Sequence, residues 1–127
     1  MDEQPTDKKK ILVIEDDEDF LALVNMMLAD THVEIIPALT GLQGLKAIHA
    51  HRPDVVILDL TLPDMNGWEV FIQMRDHAET QAIPVIILTS YGTRVDRNFS
   101  LRVARVHDFL TKPCLPSQLR QSVASAL

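Results

Sequence analysis

Short runs made almost entirely of aliphatic residues recur along this sequence, and they set the strongest limit on its fold. Four such runs occupy residues 11–14, 33–36, 55–58 and 85–88, and a weaker fifth run covers 106–110. Nearly continuous apolar runs of this length are typical of strands covered on both faces, whereas a strand with one wet face alternates apolar and polar residues. The pattern therefore predicts five strands in a parallel sheet.

Segments with the apolar period of a helix separate these runs. The clearest of them spans Phe20 to Leu28, and further helices are predicted over 41–51, 68–77, 93–104 and 115–127. The apolar faces, in chain order, are Phe20, Val24, Met27 and Leu28; Leu42, Leu45 and Ile48; Val70, Phe71 and Met74; Val95, Phe99, Leu101 and Val103; and Leu119, Val123 and Leu127. Strands that alternate with helices predict an α/β fold, a doubly wound (βα)5 sheet with the flavodoxin-like strand order 2-1-3-4-5.

Length and charge narrow the classes of protein further. The 127 residues are expected to form one domain over 10–127, preceded by a flexible tail over 1–9. The single cysteine, Cys114, has no partner for a disulfide within the chain, and no apolar run has membrane length, so a cytoplasmic protein without a membrane partner is predicted. With 18 acidic and 12 basic residues, the chain lacks the basic surface of a direct nucleic-acid binder.

Acidic residues are crowded directly behind the first strand. Five of them occupy 15–19, and like charges this close repel one another. Either a cation lies among them or they remain in water. Taken alone, they are better explained as the solvated start of a helix, since acidic side chains favour the positive end of the helix dipole.

The residues that follow the other strands favour a cation among these acids. Ligands of doubly wound sheets bind beyond the carboxyl ends of the strands, so the residues found there should face one crevice. They are Glu15, Asp16 and Asp17 after the first strand, Asp59 after the third, Thr89 and Ser90 after the fourth, and Thr111 and Lys112 after the fifth. Carboxylates, a hydroxyl and an ammonium suit a hard cation such as Mg²⁺ together with a phosphoryl group.

Four motifs in combination make the sequence resemble the receiver domains of two-component response regulators, over about residues 10 to 127. They are Ile-Leu-Val-Ile-Glu-Asp-Asp at 11–17, Pro-Asp-Val-Val-Ile-Leu-Asp-Leu-Thr-Leu-Pro-Asp-Met-Asn-Gly at 53–67, Pro-Val-Ile-Ile-Leu-Thr-Ser at 84–90 and Asp-Phe-Leu-Thr-Lys-Pro at 108–113. The resemblance implies that Asp59 is the phosphoacceptor. It also implies that Glu15, Asp16, Asp59 and the Thr61 backbone carbonyl hold Mg²⁺.

The same resemblance implies roles for the remaining site residues. Thr89 and Lys112 each bind a phosphoryl oxygen, and Thr89 and Phe109 act together as the switch. The implied function is a phosphorylation-controlled signalling switch and not a turnover enzyme. Its implied partners are a histidine kinase or a histidine phosphotransfer protein and a downstream output protein or domain, and a phosphorylation-dependent homodimer is one form that the output could take.

Two alternatives remain open from the residues alone. A small phosphatase with an aspartate nucleophile would usually carry a second acid two residues after Asp59, and Thr61 stands there. A receiver-like interaction module that is never phosphorylated would not need the complete set of acids, Thr89 and Lys112. The five histidines lack a zinc-binding spacing and are assigned no ligand role.

Overall fold

One parallel sheet of five strands organises the chain. The structure, a computed structural model, describes residues 8–90 and 94–127, and for residues 94 and 95 it describes the backbone alone. The strands are β1 (Lys9–Ile14), β2 (Val33–Ala38), β3 (Val55–Leu58), β4 (Val85–Thr89) and β5 (Asp108–Thr111). Their order in the sheet is β2-β1-β3-β4-β5, and all pairs are parallel. The predicted doubly wound fold is confirmed.

Helices connect successive strands. They are α1 (Glu18–Met27), α2 (Gly41–His51), α3 (Gly67–Arg75), α4 (Arg94–Asn98), which continues as a π-helical segment (Phe99–Val103), and α5 (Pro116–Ala126). The predicted start of the fourth helix at Thr93 lies outside the described residues. The first strand begins at Lys9, one residue inside the predicted tail, and residues 1–7 lie outside the described part.

The sheet is covered on both faces, as its aliphatic strands predict. Alternate strand residues point to opposite sides: Leu12 and Ile14 of β1 belong to the core beneath α2 and α3, while Ile11 and Val13 belong to the core beneath α1 and α5. All four side chains are almost completely buried. This rigid double-sided sheet fixes the backbone from which the residues at the strand ends project.

Some predicted helix faces are wrong in detail. Leu42 is 52% exposed and Leu127 is 46% exposed, although the helical period placed both on core faces. Helix α2 instead buries Gly41, Gly44 and Ile48. The reason is a close approach to β1, because a Cβ on Gly44 would lie 2.5 Å from Cδ1 of Ile14.

The fourth helical region also differs from its predicted face. Phe99 and Val103 are exposed, whereas Ser100 is fully buried and its Oγ donates a hydrogen bond of 2.8 Å to the carbonyl of Asp96. The wider π-helical turn explains the difference, because it rotates the side chains out of the 3.6-residue period on which the prediction depends.

Candidate functional site

The strands deliver three charged residues to one edge of the sheet. The backbone hydrogen bonds of the sheet continue past the strand ends, with Glu15 N donating to Ala38 O (2.9 Å), Asp59 N to Ile14 O (3.1 Å) and Lys112 N to Thr89 O (2.9 Å). These bonds hold the residues that follow β1, β3 and β5 in register. Their side chains therefore project from a common edge, as the sequence predicts.

Lys112 links the two buried carboxylates. Its Nζ donates to Oε1 of Glu15 at 2.5 Å and to Oδ2 of Asp59 at 3.1 Å. Glu15 and Asp59 are only 2% and 6% exposed. The ammonium also lies 4.4 Å from the ring centroid of Phe20, where the electron-rich face of the ring attracts a cation. One positive charge thus serves two acids in a site with little access to water.

The electrostatics of this group are unbalanced. Burial raises the pKa of Glu15, and the opposing effect of Lys112 does not cancel it. For Lys112, burial acts to lower the pKa, but the hydrogen bonds and charges of Glu15 and Asp59 outweigh burial and raise it. The two shifts differ in cause: burial dominates at Glu15, which shares one lysine with Asp59, whereas the combined effect of two acid partners outweighs burial at Lys112. An additional cation would relieve the excess negative charge.

Asp16 adds a third, exposed carboxylate. Carboxylate oxygens of Glu15, Asp16 and Asp59 all lie within 4.8 Å of one another. Oxygen ligands at this spacing fit a hard divalent ion that retains several waters, as Mg²⁺ does. The donor set is therefore compatible with the metal that the sequence predicts.

Asp17 has a different task from its acidic neighbours. Its Oδ1 accepts hydrogen bonds from the backbone N–H groups of Asp19 (3.0 Å) and Phe20 (3.3 Å), which makes it the N-cap of α1. Its own N–H donates to Oε2 of Glu15 at 3.0 Å. Within the acidic run, Asp17 therefore caps the helix while Glu15 and Asp16 belong to the site. The composition of the run does not reveal these separate roles.

The loop between β3 and α3 is tied closely to Asp59. The N–H of Thr61 donates to Oδ1 of Asp59 at 3.1 Å, and the N–H of Gly67 donates to Leu60 O at 2.8 Å. A Cβ on Gly67 would lie 2.4 Å from the backbone oxygen of Asp59. Glycine is required here by this close approach, and not by an unusual turn, because none of the described glycines has a positive φ.

A second contact ties the same loop to α2, and sequence reasoning missed it. Asp64 accepts hydrogen bonds from the N–H groups of Gly41 (2.8 Å) and Leu42 (3.0 Å) at the start of α2. These bonds lower the pKa of the Asp64 carboxyl. An aspartate in a loop signals a turn or a local cap, so its action on a helix more than twenty residues away could not be predicted.

The predicted switch residues lie deeper in the molecule. Thr89 ends β4 and is fully buried, and Phe109 of β5 is also fully buried, opposite Ile87 in the register of the two strands. The carbonyl of Phe109 accepts a hydrogen bond from Nη1 of Arg97. Coupled movement of Thr89 and Phe109 stays a prediction.

A cleft of about 290 Å³ opens beside the loop that follows Asp59. Its walls come from the loop, from the start of α3 and from the fourth helical region, and they are Leu60, Thr61, Asn66, Trp68, Asp96 and Phe99. The Trp68 ring makes edge-on contacts with the rings of Phe71 at 5.5 Å and Phe99 at 5.9 Å. Trp68 therefore joins the core of α3 to the exposed surface of the fourth helical region.

Among the residues that the structure describes, no helix combines the length and apolarity needed to cross a membrane.

Comparison with known proteins agrees with the site geometry. The family model described as the response regulator receiver domain matches residues 11–124. Protein PilH of Pseudomonas aeruginosa is 30% identical over 118 residues, which cover 93% of this chain and 97% of PilH. The alkaline phosphatase synthesis transcriptional regulatory protein PhoP of Bacillus subtilis is 31% identical, and the match covers 94% of this chain but only 48% of PhoP.

Solved structures show the same architecture. A signal receiver domain from Vibrio parahaemolyticus superimposes with a TM-score of 0.87 at 29% identity, covering 94% of this chain and 89% of that one. A CheY-like response regulator receiver domain protein from Methanospirillum hungatei gives a TM-score of 0.80 at 27% identity, covering 93% and 92% of the two chains. Together with the fold and the acidic edge of the sheet, these matches show that the chain belongs to the response regulator receiver domain family of two-component signalling.

Proposed function

We propose that this receiver domain is a phosphorylation-controlled switch that accepts a phosphoryl group on Asp59 from a histidine kinase or a histidine phosphotransfer protein. The observation that carries the proposal is the group of Glu15, Asp16 and Asp59 oxygens within 4.8 Å, with the Lys112 ammonium 3.1 Å from Asp59. A nucleophilic carboxylate, metal-binding oxygens and a fixed cation are the components that phosphoryl transfer requires.

Asp59 supplies the nucleophile. One of its carboxylate oxygens attacks phosphorus, the bond between phosphorus and the donor's imidazole nitrogen breaks, and the product is an acyl phosphate on the receiver. Lys112, whose Nζ lies 3.1 Å from Asp59 Oδ2, is proposed to bind one phosphoryl oxygen, and Thr89 is proposed to bind another. The N–H of Thr61 already donates to Asp59 Oδ1, which holds the carboxylate in a defined orientation.

Mg²⁺ is the cofactor of the proposal. Glu15, Asp16, Asp59 and the backbone carbonyl of Thr61 would hold it, and when bound it supplies positive charge to the phosphoryl oxygens. The added group carries a charge of about −1.5 to −2 near neutral pH, in a site where one lysine already serves two acids. Without further positive charge, the phosphorylated state would be strongly disfavoured.

The phosphorylated domain is proposed to change its binding to a downstream output protein or domain, or to a second copy of itself. It promotes its own phosphorylation and dephosphorylation without acting as a turnover enzyme, and it works in the cytoplasm. PhoP of Bacillus subtilis is by its name a transcriptional regulatory protein, and this chain spans about half of its length. Phosphorylation of Asp59 is common to every version of this proposal and is the step to test.

The test uses acetyl phosphate with Mg²⁺ and reads the product by intact-mass spectrometry. Wild type should gain the mass of one phosphoryl group, and Asp59→Asn should gain none. The matched control is Asp76→Asn, which removes an exposed carboxylate at the C-cap of α3 and should be phosphorylated like wild type. Undiminished phosphorylation of Asp59→Asn would overturn the assignment.

A further inference from the structure

Away from the crevice, the structure brings two histidines from different helices into ring contact. His49 lies in the last turn of α2, and His77 lies just beyond the C-cap of α3. Their ring centroids are 5.4 Å apart, and their ring planes cross at 79°. Both side chains are exposed, so no buried core explains why the rings meet.

The hydrogen bonding of His77 determines which of its nitrogens is available. Its Nδ1 lies 2.9 Å from the carbonyl oxygen of Gln73. A carbonyl oxygen only accepts, so Nδ1 carries the proton and Nε2 keeps a free lone pair. Metal-binding histidines usually donate their second ring N–H to a carbonyl or a carboxylate in this way. His77 is therefore already in the tautomer of a metal ligand.

The spacing of the two rings also fits a shared ion. With bonds of about 2.0 Å from Zn²⁺ to each imidazole nitrogen and tetrahedral angles, two ring centres lie about 5 Å apart. The observed separation of 5.4 Å is close to this value. This centroid spacing is compatible with two exposed imidazoles that bind one ion together.

A carboxylate interacts electrostatically with the pair. The pKa of Glu79 is lowered, chiefly by a hydrogen bond from its own backbone N–H and in smaller part by electrostatic interaction with Arg52 and with the two histidines. Glu79 is thus ionised at neutral pH and interacts electrostatically with both imidazoles. Its negative charge favours a cation there, although Arg52 offsets part of it.

We propose that His49 and His77 form a transition-metal site that links the carboxyl-terminal ends of α2 and α3. Imidazole nitrogens select Zn²⁺ and similar ions over Mg²⁺. Water fills the remaining coordination positions, and Glu79 contributes charge beside the ion. Because an ion held between two helices binds only the folded chain, it stabilises the fold. This site is separate from the phosphoacceptor crevice and does not depend on the proposed phosphorylation.

The test must first remove the competing acidic crevice. We therefore choose a background that carries Asp16→Asn and Asp59→Asn, and titrate it with zinc chloride in a calorimeter. His49→Gln and His77→Gln should each weaken Zn²⁺ binding at least about tenfold, since even the loss of an outer hydrogen bond to a ligand costs that much. The matched control is His51→Gln, which removes an exposed histidine of α2 that has no ring contact with His77.

Thermal unfolding gives a second readout. Zn²⁺ should raise the Tm of the background and of its His51→Gln form, and should leave the Tm of the His49→Gln and His77→Gln forms unchanged. Circular dichroism confirms that each variant is folded before the titration. Absence of Zn²⁺ binding by the background, binding retained after either substitution, or an equal loss with His51→Gln would each overturn the proposal.

Discussion

At the scale of single residues, the site holds two buried carboxylates that share one lysine. Glu15 and Asp59 are both withdrawn from water, and Lys112 provides the one ammonium seen bonding to them in the described chain. Removing carboxylates from water is costly unless enough cations accompany them. The unphosphorylated, metal-free site is therefore destabilising, and binding of a cation relieves it.

Glu15→Gln should increase the free energy of unfolding in the absence of Mg²⁺ at neutral pH. The folded pKa of Glu15 lies above its ordinary value of 4.5, so this carboxyl favours the folded state only while protonated. As pH rises from 4.5 through the higher folded pKa, the free energy of unfolding of wild type therefore decreases. The amide oxygen of glutamine still accepts a hydrogen bond from Lys112 and needs no proton.

Denaturant unfolding between about pH 4 and pH 7 checks this prediction. The difference between the variant and wild type should be close to zero at the acid end and should grow in favour of the variant as pH rises. Glu34→Gln, at an exposed position of β2, should show no such trend. A variant less stable than wild type at pH 7 would contradict the expected sign.

Asp16→Ala should lose Mg²⁺ affinity by about tenfold or more, because hard cations depend on the number of charged oxygens around them. The same change should leave the metal-free protein as stable as wild type or more stable, since it removes one of three mutually repelling carboxylates. Calorimetric titration with Mg²⁺ and thermal unfolding without metal measure the two effects. A titration unchanged by the substitution would mean that these acids are merely solvated.

At the scale of elements, the loop between β3 and α3 is fixed at both sides. Gly67 packs against the backbone of Asp59 and Leu60, and Asp64 binds the first N–H groups of α2. The N-terminus of α2 is thereby connected to the loop that orients the phosphoacceptor. Movement of this loop would therefore displace the start of α2 or break its hydrogen bonds to Asp64.

Gly67→Ala should displace this loop and destabilise the fold by about 1–3 kcal/mol. The new Cβ would meet the Asp59 backbone oxygen at 2.4 Å and Leu60 Cα at 2.7 Å, and neither backbone atom can rotate away. Slower phosphorylation by acetyl phosphate should accompany the loss, because Asp59 itself is moved.

The control is Gly41→Ala, whose Cβ would approach the side chain of Met65 at 2.4 Å. A methionine side chain has several rotatable bonds and can move aside, so this variant should be less affected. Chemical denaturation and phosphorylation rates provide the comparison. Equal damage in both variants would show that contact with the phosphoacceptor backbone is not the decisive factor.

At the scale of the whole molecule, the proposed signal must cross from the crevice to the surface formed by the fourth helical region, β5 and α5. Thr89 is buried at the end of β4, and Phe109 packs fully buried in the neighbouring strand. The carbonyl of Phe109 accepts a hydrogen bond from exposed Arg97. Thr89 and Phe109 thus lie on adjacent paired strands, and Phe109 is hydrogen-bonded to the surface residue Arg97, an arrangement compatible with the predicted coupling.

Thr89→Ala should still accept phosphate on Asp59 but should not transmit the change, because the nucleophile remains while the hydroxyl assigned to the phosphoryl oxygen is gone. Beryllofluoride with Mg²⁺ provides a stable mimic for backbone amide NMR. Wild type should show shifts that spread from the crevice to residues 93–112, and the variant should confine them to the crevice. Ser90→Ala, which removes the adjacent exposed hydroxyl, should behave like wild type. An equal spread in Thr89→Ala and wild type would rule out Thr89 as the coupling residue.

The sequence by itself determined the sheet and the edge where the site forms. Aliphatic runs can be buried only between two covering layers, and parallel strands must place their carboxyl ends together, so Glu15, Asp59 and Lys112 were predicted to converge. The tertiary structure alone decided which faces the helices bury, why residue 67 is glycine, what Asp64 caps and that His49 meets His77. The physical reason is that periodicity reports the surroundings of a residue along its own element. Contacts between elements depend instead on how closely and at what angle those elements pack.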